Sequence, residues 1–127
     1  MEHPLADAIR KIGGRTVYFC PAEGPALACE SDALELIAAT YGEEVDWVAA
    51  PVVRFGAEFF QLRTGLAGAF LQKFVNYGLR VAILGDLGRA AAESPALAAF
   101  VRESNRGSQV WFVRDEAELE ARLAALR

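Results

Sequence analysis

Three short stretches of the chain carry residue types that could do chemistry. Arg63-Thr64-Gly65, with Gly68 close behind, has the make-up of a helix start. Unpaired N–H groups and the helix dipole at such a start attract an anion or a partner's carboxylate, and Arg63 adds positive charge. The simpler reading makes Thr64 an N-cap and lets the two glycines bring the helix close to a sheet. The stretch has neither the spacing nor the lysine of a phosphate loop. Gly85-Asp86 ends an apolar run that reads as an inner strand. Ligands of open α/β sheets collect at the carboxyl ends of strands, so Asp86 could hold a metal ion or a ribose hydroxyl, or simply form a turn. Ser104-Asn105-Arg106-Gly107 ends a helix, with Asn105 or Gly107 as a left-handed cap and Arg106 facing the dipole. Recognition by Asn105 and Arg106 is the alternative. Gln72, Lys73, Asn76 and Tyr77 flank a central helix as a solvated face or as an interaction surface with Tyr77 as its anchor.

Other chemistries find less support. The single histidine, His3, sits near the N-terminus, so a serine or cysteine nucleophile has no partner base in any motif. Cys20 and Cys29 are the only cysteines. They fit two reduced thiols of a cytosolic protein better than a cross-strand disulfide, and with His3 they make no zinc set. No cofactor and no metal are implied. A formal charge of -4 and a pI of about 5.0 argue against a nucleic-acid partner. The first residues lack the layout of a signal peptide, and no apolar run approaches the roughly 20 residues that span a bilayer. The expected location is the cytoplasm, away from membranes.

Positioning these residues requires a core, and 127 residues with 54% hydrophobic content suit a single α/β domain over residues 1–127. Residues 1–14 read as a loosely ordered lead-in or a short helix ending at Gly13-Gly14. Residues 15–20 and 26–29 form an opening hairpin around Pro21, Gly24 and Pro25. Asp32 and Glu35 have capping-box spacing at the start of a helix whose apolar face is Leu34, Ile37, Ala38 and Tyr41, closed by Gly42. Residues 45–53 read as a buried strand. A central helix starting near Thr64 follows a turn that carries Phe59 and Phe60, with Leu66, Phe70 and Phe74 along one line. Residues 80–84 are the clearest strand. Ser94-Pro95 opens a helix that Gly107 stops, residues 109–113 form the next strand, and Asp115 with Glu118 caps a last helix that Arg122 and Arg127 complement at its end. The order β-β-α-β-α-β-α-β-α predicts a mostly parallel sheet with helices packed on it.

The motifs FFxLxTGLAG, LQKFxNY, AIxGD and ESNxG occur in that order, with SDALELIA ahead of them. In these the chain resembles the bacterial domain-of-unknown-function family 4180, which implies no activity. The element order also resembles the STAS (anti-sigma-factor antagonist) fold, in which a turn of the type Asp-Ser-Ser-Gly-Leu opens the second helix. Thr64-Gly65-Leu66 fill the last three places of such a turn. The aspartate and the phosphorylated serine or threonine of that family fall on Leu62 and Arg63, where this chain departs from the pattern of the phospho-switch.

The expectation that follows is a non-enzymatic regulatory or protein-interaction module, binding another protein or itself. The alternatives are a sensor of an anion or nucleotide around Arg63, Thr64, Gly65 and Asp86, and, less favoured, a small carboxylate-based hydrolase or transferase.

Overall fold

Runs of β-branched and aromatic residues become the strands. The computed structural model describes residues 8–126, with His3 and Arg127 outside them. Its strands are β1 (Ile9–Ile12), β2 (Arg15–Phe19), β3 (Trp47–Pro51), β4 (Arg80–Leu84) and β5 (Val110–Val113). They form one five-stranded sheet in the order β1-β2-β3-β4-β5. β1 pairs antiparallel with β2, and the remaining pairings are parallel. The sheet is therefore mixed, which corrects the expectation of a mostly parallel one.

The opening hairpin lies one strand earlier than the sequence suggests. Gly13 and Gly14, with φ of 59° and 82°, form its turn, because a tight hairpin of the sheet's twist needs two left-handed residues in succession. Residues 26–29 form no strand, and Leu27 makes only an isolated bridge to Phe55. The proline-rich loop between is instead held by Arg54. Its guanidinium donates to the carbonyl of Pro21 at 2.7 Å and twice to that of Pro25, at 2.9 and 3.1 Å.

The helices are α1 (Glu30–Ala38), α2 (Leu66–Asn76), α3 (Gly88–Glu93), α4 (Pro95–Arg106) and α5 (Glu116–Ala124). Three 3₁₀ turns, Val52–Arg54, Ala57–Phe60 and Leu62–Thr64, lead from β3 to α2. Ser94 caps α4 by accepting from the Leu97 N–H, and Asp115 caps α5 by accepting from the Glu118 N–H, as the spacings predict. The short helix α3 was not anticipated.

α1 departs from expectation twice. Its N-cap is Cys29, and Asp32 sits three residues in, its carboxylate accepting from the N–H groups of Ala28 (2.9 Å) and Cys29 (3.1 Å). Its buried face is Ala33, Leu36 and Ile37, whereas Leu34 and Tyr41 are 38% and 68% exposed.

Two cores result. α1 and α2 pack with Tyr18, Val48, Ala50, Val81 and Ile83 on one face of the sheet, joined by Phe100 of α4. Phe55, Phe59, Phe70 and Phe74 interlock there at centroid distances of 4.4 to 5.5 Å. On the other face, Leu119 and Leu123 of α5 cover Val17, Ala49, Ala82 and the paired rings of Trp47 and Trp111, tilted by 35° at a centroid distance of 4.4 Å. Burying one such large side chain contributes about 1.5–3 kcal/mol.

The cap at Asp32 sets a pH dependence. The backbone N–H groups of Cys29 and Ala28 hold its carboxyl below the usual range. A depressed folded pKa means stability that is present above the unfolded value, about 3.9, and lost as pH falls through the folded one. Asp32→Asn keeps an oxygen toward the two N–H groups but loses the charge that strengthens both bonds, and is expected to lower stability at neutral pH. Urea denaturation of both proteins at neutral pH and near pH 3 checks this, because the gap between them must shrink in acid.

Candidate functional site

The carboxyl ends of β2 to β5 lie on one edge of the sheet, and the chain leaves β4 and β5 in opposite directions. From β4 it turns to α3 and α4, on the side of the first core. From β5 it turns to α5, on the second. Adjacent parallel strands whose connections diverge in this way leave a crevice beyond their carboxyl ends. A cavity of about 240 Å³ lies there, lined by residues 85–88, Ala91, Val101 and residues 112–114.

Asp86 stands at its rim and is exposed. Its Oδ1 accepts from the Gly88 N–H at 2.7 Å, a turn-forming bond that fixes the carboxylate and starts α3. Gly85 has φ of 146°, and a Cβ there would lie 2.7 Å from Cβ and Cγ2 of Val52. This position admits only glycine, both for its backbone and for its contact with the turn after β3.

Arg63, Thr64 and Gly65 line the approach to α2 and do not share the Asp86 cavity. The N-cap of α2 is Gly65, with φ of 75°, and not Thr64. The Thr64 hydroxyl donates to the Gln61 carbonyl at 2.8 Å and accepts from the Leu66 N–H at 3.2 Å, tying the last 3₁₀ turn to the helix. Arg63 is exposed and borders a separate cavity with Ser94 and Ala96. The idea that Gly65 and Gly68 draw the helix onto the sheet is overturned, since a Cβ at either would meet nothing within 4 Å.

Asn105 and Arg106 lie apart from both places. Asn105 is no left-handed cap; it is the penultimate residue of α4. Its side-chain amide accepts from the Phe112 N–H at 2.8 Å and donates to the Phe112 carbonyl at 3.2 Å. It thus occupies the outer edge of β5 as a neighbouring strand would, which protects that edge from pairing with another chain. The left-handed geometry expected of Gly107 is absent too, with φ at -91°. Arg106 is exposed and pairs with Glu103 at 2.8 Å. Arg122 lies over the Trp111 ring at 4.1 Å and donates to the Asn105 carbonyl at 2.7 Å, so its work is tertiary and not confined to the helix dipole.

Among the described residues no group of three or more His, Cys, Asp or Glu could hold a metal ion. Both cysteines are free, Cys20 buried and Cys29 exposed. Burial pushes the Cys20 thiol up, with the nearby Arg54 guanidinium pulling the other way, so the thiol stays protonated at neutral pH. No helix among the described residues is long and apolar enough to cross a membrane.

A family model described as "Domain of unknown function (DUF4180)" matches residues 12–123. The chain belongs to this family. No curated protein and no solved structure matches it. The DUF4180 match runs from the last residue of β1 into α5 and so covers the Asp86 cavity, the approach to α2 and the Asn105 clasp alike.

The sequence overlooked Arg114, Val101 and Phe112 as cavity residues, since only the divergence of the chain after β4 and β5 brings them to Asp86. It read Leu34 and Tyr41 as core, although their helical spacing was the right signal of a continuous stripe.

Two substitution pairs test this assignment of roles. Gly85→Ala is expected to lose about 2–4 kcal/mol through backbone strain and the clash with Val52, and Gly68→Ala to gain about 0.5 kcal/mol in open space; urea denaturation midpoints measure both. Asn105→Ala is expected to lose about 1–3 kcal/mol by leaving the Phe112 groups unpaired, whereas Arg106→Ala stays within about 0.5 kcal/mol. Light scattering should also show association of the Asn105 variant alone.

Proposed function

We propose that this DUF4180 chain is a non-enzymatic regulatory or protein-interaction module with a STAS-like arrangement of elements, and that it docks another protein on its α1–α2 face. One observation carries the reading. Tyr41 and Tyr77, 68% and 51% exposed, border the same cavity of about 180 Å³, whose floor is Ile37, Val45 and Leu79. Two tyrosines beside an apolar depression supply the large, stiff, amphipathic contact area that interface anchors use. Leu34 extends the apolar stripe one helical repeat along α1, and the Glu30–Lys73 ion pair at 3.2 Å holds α1 and α2 together.

Charge favours one kind of occupant. Glu43 borders the depression and Glu44 follows it, and neither has an ion-pair partner among the described residues. The nearby Lys73 is already paired with Glu30. A second copy packed about a two-fold axis would set these acidic rims against each other, which electrostatic complementarity disfavours. A basic, amphipathic surface of a different protein meets both the apolar floor and the acidic rim.

The element order supports likeness to STAS proteins, with the antiparallel strand first and the helices alternating after it.

The test places a photo-crosslinking phenylalanine derivative at Tyr41, at Tyr77 and, as a control, at the exposed Arg102, in cells that naturally carry the protein. The expected outcome is an adduct to one different protein from Tyr41 and Tyr77, with a basic contact peptide, and none from Arg102. Adducts only to a second copy, or equal yields from all three positions, would overturn the reading.

A further inference from the structure

We propose that the cavity at the divergence of β4 and β5 binds a small molecule with an apolar, ring-sized body and a cationic amine, the amine held by Asp86. This does not depend on the docking reading, since the cavity shares no lining residue with the α1–α2 depression.

The place comes first. Along the parallel part of the sheet, the chain diverges to opposite faces only after β4 and β5, so this is the crevice that the topology itself opens. Gly85 keeps its floor free of side chain, and its contact with Val52 fixes the loop that follows.

The lining decides the chemical class. Leu87, Ala91, Val101 and Phe112 present carbon, and Phe112 is braced by Phe100 at a centroid distance of 5.8 Å. About 150 Å³ is enough for a benzene ring in an apolar cavity, so 240 Å³ admits such a ring with a short tail. A site of this kind orients its ligand with a few polar groups.

The charged residues at the rim are Asp86 and Arg114, and they are not equivalent. Arg114 points its Nε toward Glu118 at 3.9 Å and is 81% exposed, so its charge is drawn to a partner outside the lining. Asp86 has no ion-pair partner among the described residues. The Gly88 N–H engages Oδ1 and sets the carboxylate plane, leaving Oδ2 to accept from a ligand. A fixed carboxylate beside an apolar wall selects an ammonium over a carboxylate, and a charge-assisted bond is the stronger kind.

The experiment follows the backbone amides by two-dimensional NMR while phenethylamine is added to millimolar concentration. Its acid counterpart, 3-phenylpropionate, has the same ring and the opposite charge. The expected result is saturable shifts at Gly85, Gly88, Ala91 and Val113 with the amine and much weaker ones with the acid. Asp86→Asn keeps an oxygen for the Gly88 N–H but removes the charge, and should weaken the amine at least about tenfold. Val101→Phe should fill the cavity and abolish the shifts, and Ala91→Phe serves the same purpose if that variant fails to fold. Shifts elsewhere, no shifts, equal binding of the acid, or an amine affinity indifferent to Asp86→Asn would each overturn the proposal.

Discussion

Among the described residues, one helix seals a whole face of the sheet. Because the strand order follows the chain, α1, α2 and the Phe100 side of α4 gather on one face, and among the described residues α5 alone is left for the other. That helix reaches from β5 to the hairpin at the far edge. Its Glu116 pairs with Arg10 of β1 at 2.8 Å, and its Leu123 and Glu120 press so closely on Gly13 that a Cβ there would sit 2.7 Å and 2.8 Å from them. Ala49 and Ala82 keep the middle of that face shallow, while Trp47 and Trp111 fill one side of it. Small residues in the middle of the face and two large rings beside them, both in contact with α5, are how a single helix closes a broad surface at native density.

The same constraint generates the crevice beside β4 and β5. Had the chain after β5 continued to the face of α1 and α2, no divergence would exist and the carboxyl ends of both strands would be roofed by loops of one side. The edge is then finished locally. Asn105 satisfies both backbone groups of Phe112, Trp111 donates to the Gly107 carbonyl at 2.8 Å, and Arg122 bridges to the Asn105 carbonyl. Each of these bonds ties α4, β5 or α5 to another of the three. The C-terminal third is therefore held by polar contacts around one tryptophan, while the first face relies on interlocked phenylalanines.

This division explains what the sequence could tell. Caps and strands with strong local signals were legible: Ser94-Pro95, Asp115 with Glu118, and residues 80–84 all appear where the residue types put them. The first strand was hidden because Ile9 and Ile12 flank Arg10 and Lys11, a pattern without strict alternation, although Gly13-Gly14 carried the hairpin signal. The chemistry of Pro21, Gly24 and Pro25 was real, but it shapes a loop whose fate depends on Arg54, some thirty residues away in the chain. From Ala33 to Ala38 every position of α1 except Glu35 is apolar, so the period could be matched by two adjacent stripes, and only packing against α2 chose between them.

The candidate residues separate by the same physics. A helix start, a strand end and a helix end are each local, so the sequence could find all three, but nothing local says whether they meet. They do not converge: Arg63, Asp86 and Arg106 border three different cavities. Two of the polar groups that looked most available are spent inside the fold, the Thr64 hydroxyl on Gln61 and Leu66, and the Asn105 amide on Phe112. A hydrogen-bonding group already matched to buried or strained backbone is a poor recognition element, because engaging a ligand would forfeit the bond it makes. What the fold leaves unmatched is the second oxygen of Asp86 above an apolar wall, and the two exposed tyrosines, Tyr41 after α1 and Tyr77 at the end of α2, that border one cavity.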